Sequence, residues 1–274
     1  MFTLNCKGKL FVINQPIVMG IINVTPDSFY QPSQTKTIDL ALGMAEKMVS
    51  DGALVLDIGG QSTRPRSIHL SQDEELIRVI PIIDAIYRRF PDTLISVDTF
   101  HSKVAKEAIF NGASLINDIS SGQFDKEMLA TVSQYAVPFI CMHQKGNFET
   151  MHRNTIQGDV TKEVLDYFIN KVAECSSAGV KDLILDPGFG FSKSIEQNFA
   201  ILKNLDAFSI LKKPILLGVS RKSTIYKTLG ITVEEALNGT TVLHTAGLLK
   251  GASILRVHDV KEAIEAIKLT SYLV

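Results

Sequence analysis

Residues 52–57 read GALVLD, a glycine followed by four apolar residues and a carboxylate. Residues 38–50, just before this segment, have the apolar spacing of an amphipathic helix. A glycine at that point suits the left-handed conformation that ends many helices. The apolar run is short, as expected for a strand that is buried on both faces. The segment therefore predicts a helix, a turn and a parallel strand that ends at Asp57.

The same pattern occurs three more times along the chain. The copies run from Gly112 to Asn117, from Gly179 to Asp186 and from Gly251 to Arg256. Four further apolar runs lie between the copies, at residues 18–22, 94–97, 137–142 and 215–219. Helical patterns separate the runs, and one of them opens with Ser71 and Glu74 at capping-box spacing and contains Pro81, which predicts a kink.

Eight strands that alternate with helices indicate a parallel sheet in an α/β protein. Eight such units that close on themselves form a (β/α)8 TIM barrel, and we expect one domain over residues 1–274. An open, doubly wound sheet is the alternative. No GxGxxG motif follows the first strand, which disfavours that alternative.

Polar residues follow all eight predicted strands. In a barrel the carboxyl ends of the strands meet on one face, where active sites lie. The residues that would converge there are Asn23, Asp57, Asp98, Asn117, His143, Asp186, Lys222 and Arg256. A polar residue at one strand end is often only a helix cap or a turn former. For Asp57 we expect a supporting role, and His143 fits an ordinary hydrogen-bonded histidine equally well. Together, the eight predict a ligand pocket.

The chemistry of these residues narrows the ligand. Carboxylates and amides suit the edge of an aminopyrimidine, because a carboxylate can accept from two adjacent N–H groups. The cations near the same face suit a phosphate or a carboxylate, and they are Arg64, Arg221, Lys222, Arg256 and His258. Asn23 offers a hard oxygen ligand, and Mg²⁺ typically takes few protein ligands beside phosphate and water. The strand ends show no Ser–His–Asp or Cys–His set for covalent catalysis.

The overall charge and the cysteines exclude several classes of protein. The 28 basic and 29 acidic residues give a net charge of −1, so no field of one sign favours nucleic acid or an anionic membrane. The three cysteines form no CxxC pair, which favours a reducing compartment over a disulfide framework. The sequence has no signal-peptide pattern and no long apolar span. We therefore expect a soluble, cytoplasmic protein whose ligands are small molecules.

Eight short motifs, in order, resemble the dihydropteroate synthase family. They are GIINVTPDSF, LDIGGQSTRP, ISVDTFHSKVAKEAI, INDISSG, DPGFGF, GVSRKS, NGTT and RVHDV. Together they span residues 18–260, nearly the whole chain. The resemblance implies a barrel that joins 6-hydroxymethyl-7,8-dihydropterin diphosphate to 4-aminobenzoate and releases 7,8-dihydropteroate and pyrophosphate. It also implies Mg²⁺ as cofactor and a homodimer.

The resemblance also implies a role for each matched residue. Asp98, Asn117, Asp186 and Lys222 would hold the pterin, while Met142 and Phe191 would line its ring. Asn23 would bind Mg²⁺ and pyrophosphate, with Arg256 and His258 on the phosphates. Thr63, Arg64 and Ser223 would help to hold the aminobenzoate. The residues expected to act in catalysis are Arg64, Asp98, Lys222 and Arg256.

The family is thought to react by an SN1-like route, in which pyrophosphate leaves before the amine attacks. The residue chemistry is compatible with that route, because cations stabilise the leaving group and carboxylates offset the charge on the pterin. Two segments, NVTPDSFYQPSQTK and STRPRSIHLS, follow the first two strands and lack a periodic pattern. They are candidates for lids that exclude water.

Three positions depart from the family pattern. Tyr30, Gln31, Pro32 and Ser33 stand where an acidic, glycine-rich stretch is common, which puts an acidic contribution near the metal in doubt. Gln61 stands in place of a glutamate, and Ser192 in place of a glycine. None belongs to the expected pterin set, so we expect activity to survive.

Two other functions are compatible with a pterin-binding barrel. A methyltetrahydrofolate-dependent methyltransferase would share the pterin-edge residues, but it would not need the STRP and SRKS elements together. A non-catalytic pterin-binding paralogue would be expected to lose part of the set Asn23, Arg64, Lys222 and Arg256, all of which are present. The altered segment at Gln31 is the one feature that favours the paralogue.

Overall fold

The computed structural model describes residues 1–24, 34–62, 67, 69–151 and 155–273. Eight parallel strands form the central sheet, and each pairs with at least one strand that is adjacent to it along the chain. They are β3 (Ile17–Asn23), β4 (Val55–Gly59), β5 (Leu94–Asp98), β6 (Leu115–Asp118), β7 (Phe139–Met142), β8 (Leu183–Asp186), β9 (Leu216–Leu217) and β10 (Ile254–Val257). β10 pairs with both β3 and β9, and a parallel bridge from Leu185 to Ile215 joins the remaining edges. The predicted (β/α)8 barrel is confirmed.

Helices surround the sheet, as the alternating pattern predicts. They are α1 (Gln34–Ser50), α2 (Gln72–Arg89), α3 (Ser102–Phe110), α4 (Met128–Tyr135), α5 (Val160–Ser177), α6 (Ile195–Lys203), α7 (Ser223–Leu229), α8 (Leu237–Leu249) and α9 (Val260–Thr270). Ser71 and Glu74 form the predicted capping box at the start of α2, which continues through Pro81. Within the described residues, no helix is long and apolar enough to cross a membrane.

The two-residue period of the strands divides their side chains between two apolar layers. Residues such as Leu56 and Ile95 pack outward against the helices in the main core. Their neighbours Val55 and Leu94 belong to a separate cluster, with one or two members from each of the eight strands, inside the barrel. The next inward position along each strand lies two residues further on. This is where the polar side chains of the site begin.

A hairpin at the amino terminus was not predicted from the sequence. β1 (Phe2–Cys6) pairs antiparallel with β2 (Lys9–Ile13). Its buried side chains, which include Leu4 and Ile13, pack against the apolar cluster inside the barrel. The hairpin therefore closes the end of the barrel opposite the polar residues.

The four glycines of the repeated pattern have the predicted left-handed conformation. Their φ angles are +104° at Gly52, +120° at Gly112, +85° at Gly179 and +91° at Gly251. Gly112 also lies against a neighbouring helix, since a β-carbon there would be 2.4 Å from Cγ of Tyr87. Gly251 has open space around that position. The two sites separate the cost of the backbone angle from the cost of a clash.

Replacing each of these two glycines by alanine measures the two costs. Gly251→Ala is expected to lower the free energy of unfolding by about 1 kcal/mol, because only the backbone is strained. Gly112→Ala adds overpacking against Tyr87, which costs a further ~1–3 kcal/mol. Urea unfolding followed by circular dichroism measures both, and equal losses would contradict the packing described here.

Candidate functional site

An arginine and two aspartates form the centre of the polar face. Nε of Arg256 donates to Oδ2 of Asp57 at 2.6 Å, and its Nη2 donates to Oδ2 of Asp98 at 2.7 Å. Nδ2 of Asn117 donates to the same Asp57 oxygen at 3.0 Å. One arginine therefore links residues of β10, β4, β5 and β6.

Exposure separates the roles of these groups. The side chain of Asp57 is 0% exposed, whereas those of Asp98 and Arg256 are 14% and 19% exposed. A ligand in the mouth of the barrel can reach the latter two, while Asp57 supports them from below, in agreement with the prediction for this residue. Burial alone would lower the pKa of Arg256, but the carboxylates of Asp57 and Asp98 raise it above its ordinary value. Burial raises the pKa of Asp98, and Arg256 opposes that shift.

Lys222 and Asp186 form a second charged group beside the first. Their Nζ and Oδ2 atoms each lie 3.7 Å from the point that a β-carbon on Gly218 would occupy, so both atoms border the same position. Nζ of Lys222 donates to the carbonyl of Phe189 at 2.6 Å and lies 5.1 Å from the ring centroid of Phe191. Burial lowers the pKa of Lys222 to about 8, and Asp186 opposes the shift. Burial raises the pKa of Asp186.

The predicted apolar wall is also present. Met142 and Phe191 belong to one buried cluster with Phe100, Ile119 and Met151 at the carboxyl end of the barrel. The sequence singled out the first two residues only. The other three come from the segments after β5, β6 and β7, and no periodic pattern marks them.

His258 and Ser223 lie at the ends of the last two strand units. Nδ1 of His258 is 3.0 Å from Oγ of Ser220, and Ser223 begins α7 directly after Lys222. The sequence predicts Arg221 among the cations of the site, but the structure places its guanidinium elsewhere. Its φ of +51° turns its side chain away, and the guanidinium binds both carboxylate oxygens of Asp259 at 2.8 and 2.9 Å.

The surroundings of Asn23 fit the predicted metal ligand. A β-carbon on Gly59 would lie 3.6 Å from Oδ1 of Asn23 and 3.7 Å from Oδ2 of Asp98, so both oxygens border a space that a side chain would fill. These are hard oxygens of the kind that Mg²⁺ prefers. The described residues contain no group of three or more His, Cys, Asp or Glu side chains for a metal.

Part of the predicted site lies outside the described residues. This holds for Thr63, for Arg64 and for the departure at residues 30–33. Much of both predicted lid segments lies there as well.

Comparison with known proteins places the chain in a family. Residues 19–258 match the family described as pterin binding enzyme. The chain belongs to this family. The dihydropteroate synthase of Escherichia coli (strain K12) is 40% identical over 265 residues, which cover 96% of this chain and 93% of that protein.

Solved structures extend the comparison to the fold. The Yersinia pestis dihydropteroate synthase with a sulfonamide drug complex has a TM-score of 0.92 and 36% identity, and the match covers 99% of both chains. The Xanthomonas albilineans dihydropteroate synthase in complex with 7,8-dihydropteroate has a TM-score of 0.88 and 32% identity, and the match covers 99% and 98% of the two chains.

Two departures from the pattern of the pterin-binding enzymes have structural explanations. Gln61 is buried, and its Oε1 accepts from the backbone N–H of Leu70 at 2.7 Å, as a glutamate would. Ser192 has a φ of +53°, a conformation that favours the expected glycine. Its hydroxyl accepts from the N–H of Lys145 at 2.8 Å and lies 2.9 Å from the carbonyl of Met151. The serine thus joins the segment after β7 to the segment after β8.

His143 and Glu75 are buried groups of different kinds beside the site. His143 contacts Nζ of Lys193 at 3.0 Å, which identifies it as a hydrogen-bonded histidine, one of the two alternatives left by the sequence. Glu75 was missed, since it lies on the first turn of α2, where acidic residues are common. Its Oε2 accepts from Thr99 at 2.9 Å, and its Oε1 is buried without a partner. Burial raises the pKa of Glu75 to about 8.

The Ser192 hydroxyl can be tested with two substitutions. Ser192→Ala leaves the N–H of Lys145 without this acceptor and keeps the strained backbone, so it is expected to cost about 1–3 kcal/mol of stability. Ser192→Gly loses the same contacts but relieves the strain, so it should be more stable than the alanine variant by about 1 kcal/mol. Urea unfolding distinguishes the variants. An alanine variant at least as stable as the glycine variant would contradict this account.

Glu75 predicts a specific dependence of stability on pH. The pKa of its carboxyl is about 8 in the folded protein against an ordinary value of 4.5, so the unfolded chain loses this proton first as the pH rises. Stability from this group therefore falls between these values, by at most about 1.4 kcal/mol per pH unit. Glu75→Gln removes the effect, so its stability relative to wild type should increase from pH 5 to pH 8.

The neighbouring Glu74 provides the control for this experiment. It is exposed, and its pKa is lowered by hydrogen bonds to Ser71. Its contribution is therefore already complete at pH 5, and Glu74→Gln should shift stability by a similar amount across the range. Urea midpoints at four pH values measure both variants. A pH-independent difference for Glu75→Gln would disprove the burial argument.

Proposed function

We infer that this chain is a transferase that joins 6-hydroxymethyl-7,8-dihydropterin diphosphate to 4-aminobenzoate and releases pyrophosphate, the dihydropteroate synthase reaction of folate biosynthesis. One observation carries the inference. The groups that the reaction needs lie on one face of the barrel, where Asp98 pairs with Arg256, and Asp186 and Lys222 border one position at Gly218. They do so in a chain that is about 40% identical to dihydropteroate synthases over nearly its full length.

The first step is binding of the pterin. Its aminopyrimidine edge presents adjacent N–H donors, which suit the carboxylates of Asp98 and Asp186. Asn117 supplies an amide next to Asp98, and Lys222 supplies donors to the acceptors of the ring. Met142 and Phe191 offer apolar surface to the ring faces. Because Arg256 already holds Asp98 in place, binding does not need to order that carboxylate.

The diphosphate lies towards the cations of the same face. Arg256 and His258 would contact its oxygens, and Asn23 would hold Mg²⁺ together with them. The metal, when bound, neutralises charge on the leaving pyrophosphate. Arg256 thus links the two ends of the substrate site, since the same guanidinium contacts Asp98.

The bond change follows an SN1-like order. The C–O bond between the pterin methylene and the diphosphate breaks, and both electrons leave with pyrophosphate. The positive charge delocalises over the pterin, where the carboxylates of Asp98 and Asp186 offset it. The neutral amine of 4-aminobenzoate then forms the C–N bond and releases one proton. Ser223, together with Thr63 and Arg64, would hold the aminobenzoate.

Within the described residues, no contact favours either alternative function. The methyltransferase is disfavoured because two relatives that match 96% and 97% of this chain are dihydropteroate synthases. The non-catalytic paralogue depended on the segment at Gln31, which lies outside the described residues. The described members of the set that a paralogue should lose, including Lys222 and Arg256, are in place.

We also propose a homodimer in the cytoplasm. α8 exposes the apolar residues Val242 and Leu249, which leave surface for a second copy of the chain. Sedimentation equilibrium should give twice the mass of the chain, and the mass of one chain would contradict the dimer. The three cysteines are free and buried, which is compatible with a reducing compartment.

Turnover tests the proposed function. Purified protein with the pterin diphosphate, 4-aminobenzoate and Mg²⁺ should form dihydropteroate and pyrophosphate, detected by mass spectrometry. EDTA should stop the reaction, and Lys222→Ala should lower kcat/KM about 100-fold or more, because a partly buried cation is removed from the site. Lys162→Ala is the control, since that lysine is exposed and pairs with Asp166 on the surface of α5. Pterin binding without product would contradict the synthase assignment.

A further inference from the structure

Lys193 has the most complete set of contacts of any described lysine outside the proposed substrate site. Lys193 is the last residue of the segment 186–193, and its side chain is buried against that segment. Nζ donates to the carbonyls of Gly188 and Phe191 at 3.0 Å each and to that of His143 at 3.3 Å. Nδ1 of His143 is a fourth neighbour, at 3.0 Å.

The protonation states fit this arrangement. Burial lowers the pKa of His143 to about 3, so the imidazole is neutral and Nδ1 can accept a hydrogen bond. Burial also lowers the pKa of Lys193 to about 7, while the nearby Asp186 opposes the shift. All four neighbours of the amine act as acceptors, and a lysine amine is a donor.

The contacts of Lys193 fix the segment that holds Lys222. Gly188 and Phe191 flank Phe189, whose carbonyl accepts from Lys222, and the ring of Phe191 lies beside the same ammonium. Gly188 also packs tightly against the backbone of His143, because a β-carbon on Gly188 would lie 1.9 Å from the carbonyl oxygen of His143. Movement of the Gly188 or Phe191 carbonyl would therefore displace the groups that orient Lys222.

We propose that Lys193 is a positioning residue for pterin binding: it fastens the segment 186–193 to His143, so that the Phe189 carbonyl and the Phe191 ring hold Lys222 against the substrate. Lys193 itself does not touch the pterin. The proposal rests on the proposed function, because it assumes that Lys222 contacts this substrate. The proposal gives the buried amine of Lys193 an effect on pterin binding that acts through Lys222.

Lys193→Met tests the proposal, because methionine keeps an unbranched stem but has no donor. Calorimetric titration with 6-hydroxymethyl-7,8-dihydropterin diphosphate, without 4-aminobenzoate, measures the affinity. Lys193→Met should bind about tenfold more weakly or worse, a loss typical of a coupled contact. Lys145→Met is the matched control, since that side chain is in the adjoining segment, is 51% exposed and contacts Glu163. It should bind like wild type.

A double-mutant cycle separates positioning from a general loss of structure. If Lys193 acts through Lys222, then adding Lys193→Met to Lys222→Met should weaken binding by no more than about twofold further. A purely structural role would make the two effects multiply, which would overturn the proposal. Unchanged affinity in Lys193→Met would overturn it as well.

Two further measurements keep the outcomes distinct. Circular dichroism at the titration temperature shows whether Lys193→Met is folded. If it is not, Lys193→Gln, whose amide has two donors for the four acceptors, is titrated in its place, alone and combined with Lys222→Met. Unchanged affinity in Lys193→Gln, or a loss that multiplies with that of Lys222→Met, would reject the proposal. If wild-type protein itself does not bind the pterin diphosphate, the proposed function fails instead.

Discussion

The interaction of Arg256 with Asp57 and Asp98 is the constraint on which the site depends. Ions buried in a protein interior lose several kcal/mol of hydration each, and only close pairing with further hydrogen bonds offsets that loss. Here the guanidinium meets two carboxylates, and Asn117 donates to one of them. Removing Arg256 would leave two carboxylates without their cation, whereas removing Asp57 would leave Arg256 paired with Asp98 alone.

The same strands provide both the stability of the barrel and its chemistry. Each strand contributes an apolar residue to the layer inside the barrel, and the hairpin β1–β2 covers that layer from below. Two residues further on, the same face of β4, β6, β8 and β10 carries Asp57, Asn117, Asp186 and Arg256. The charged side chains therefore lie directly above a packed apolar layer, which excludes water from the barrel interior below them. In that setting their mutual attraction is stronger than it would be at the surface.

The sequence predicted the strands and the strand-end residues because parallel, doubly buried strands appear as short apolar runs with abrupt polar ends. It could not predict Lys193, whose contact with His143 joins residues 50 positions apart. Nor could it predict that Arg221 turns away, which depends on one left-handed residue and on Asp259. The hairpin was missed because its strands are short and precede the repeated pattern. Gly8 could have indicated the hairpin, because glycine favours tight turns, and the structure has a turn with positive φ at Lys7 and Gly8.

The most direct test of the central claim is the affinity of Asp57→Asn for 6-hydroxymethyl-7,8-dihydropterin diphosphate, measured by calorimetry. Asp57 is fully buried, and its side-chain hydrogen bonds among the described residues come from Arg256 and Asn117, so we expect any effect to pass through these two residues. The account predicts a folded variant that binds about tenfold more weakly or worse, a loss of at least ~1.4 kcal/mol. Wild-type affinity in a folded Asp57→Asn variant would show that the charge network does not prepare the pterin site.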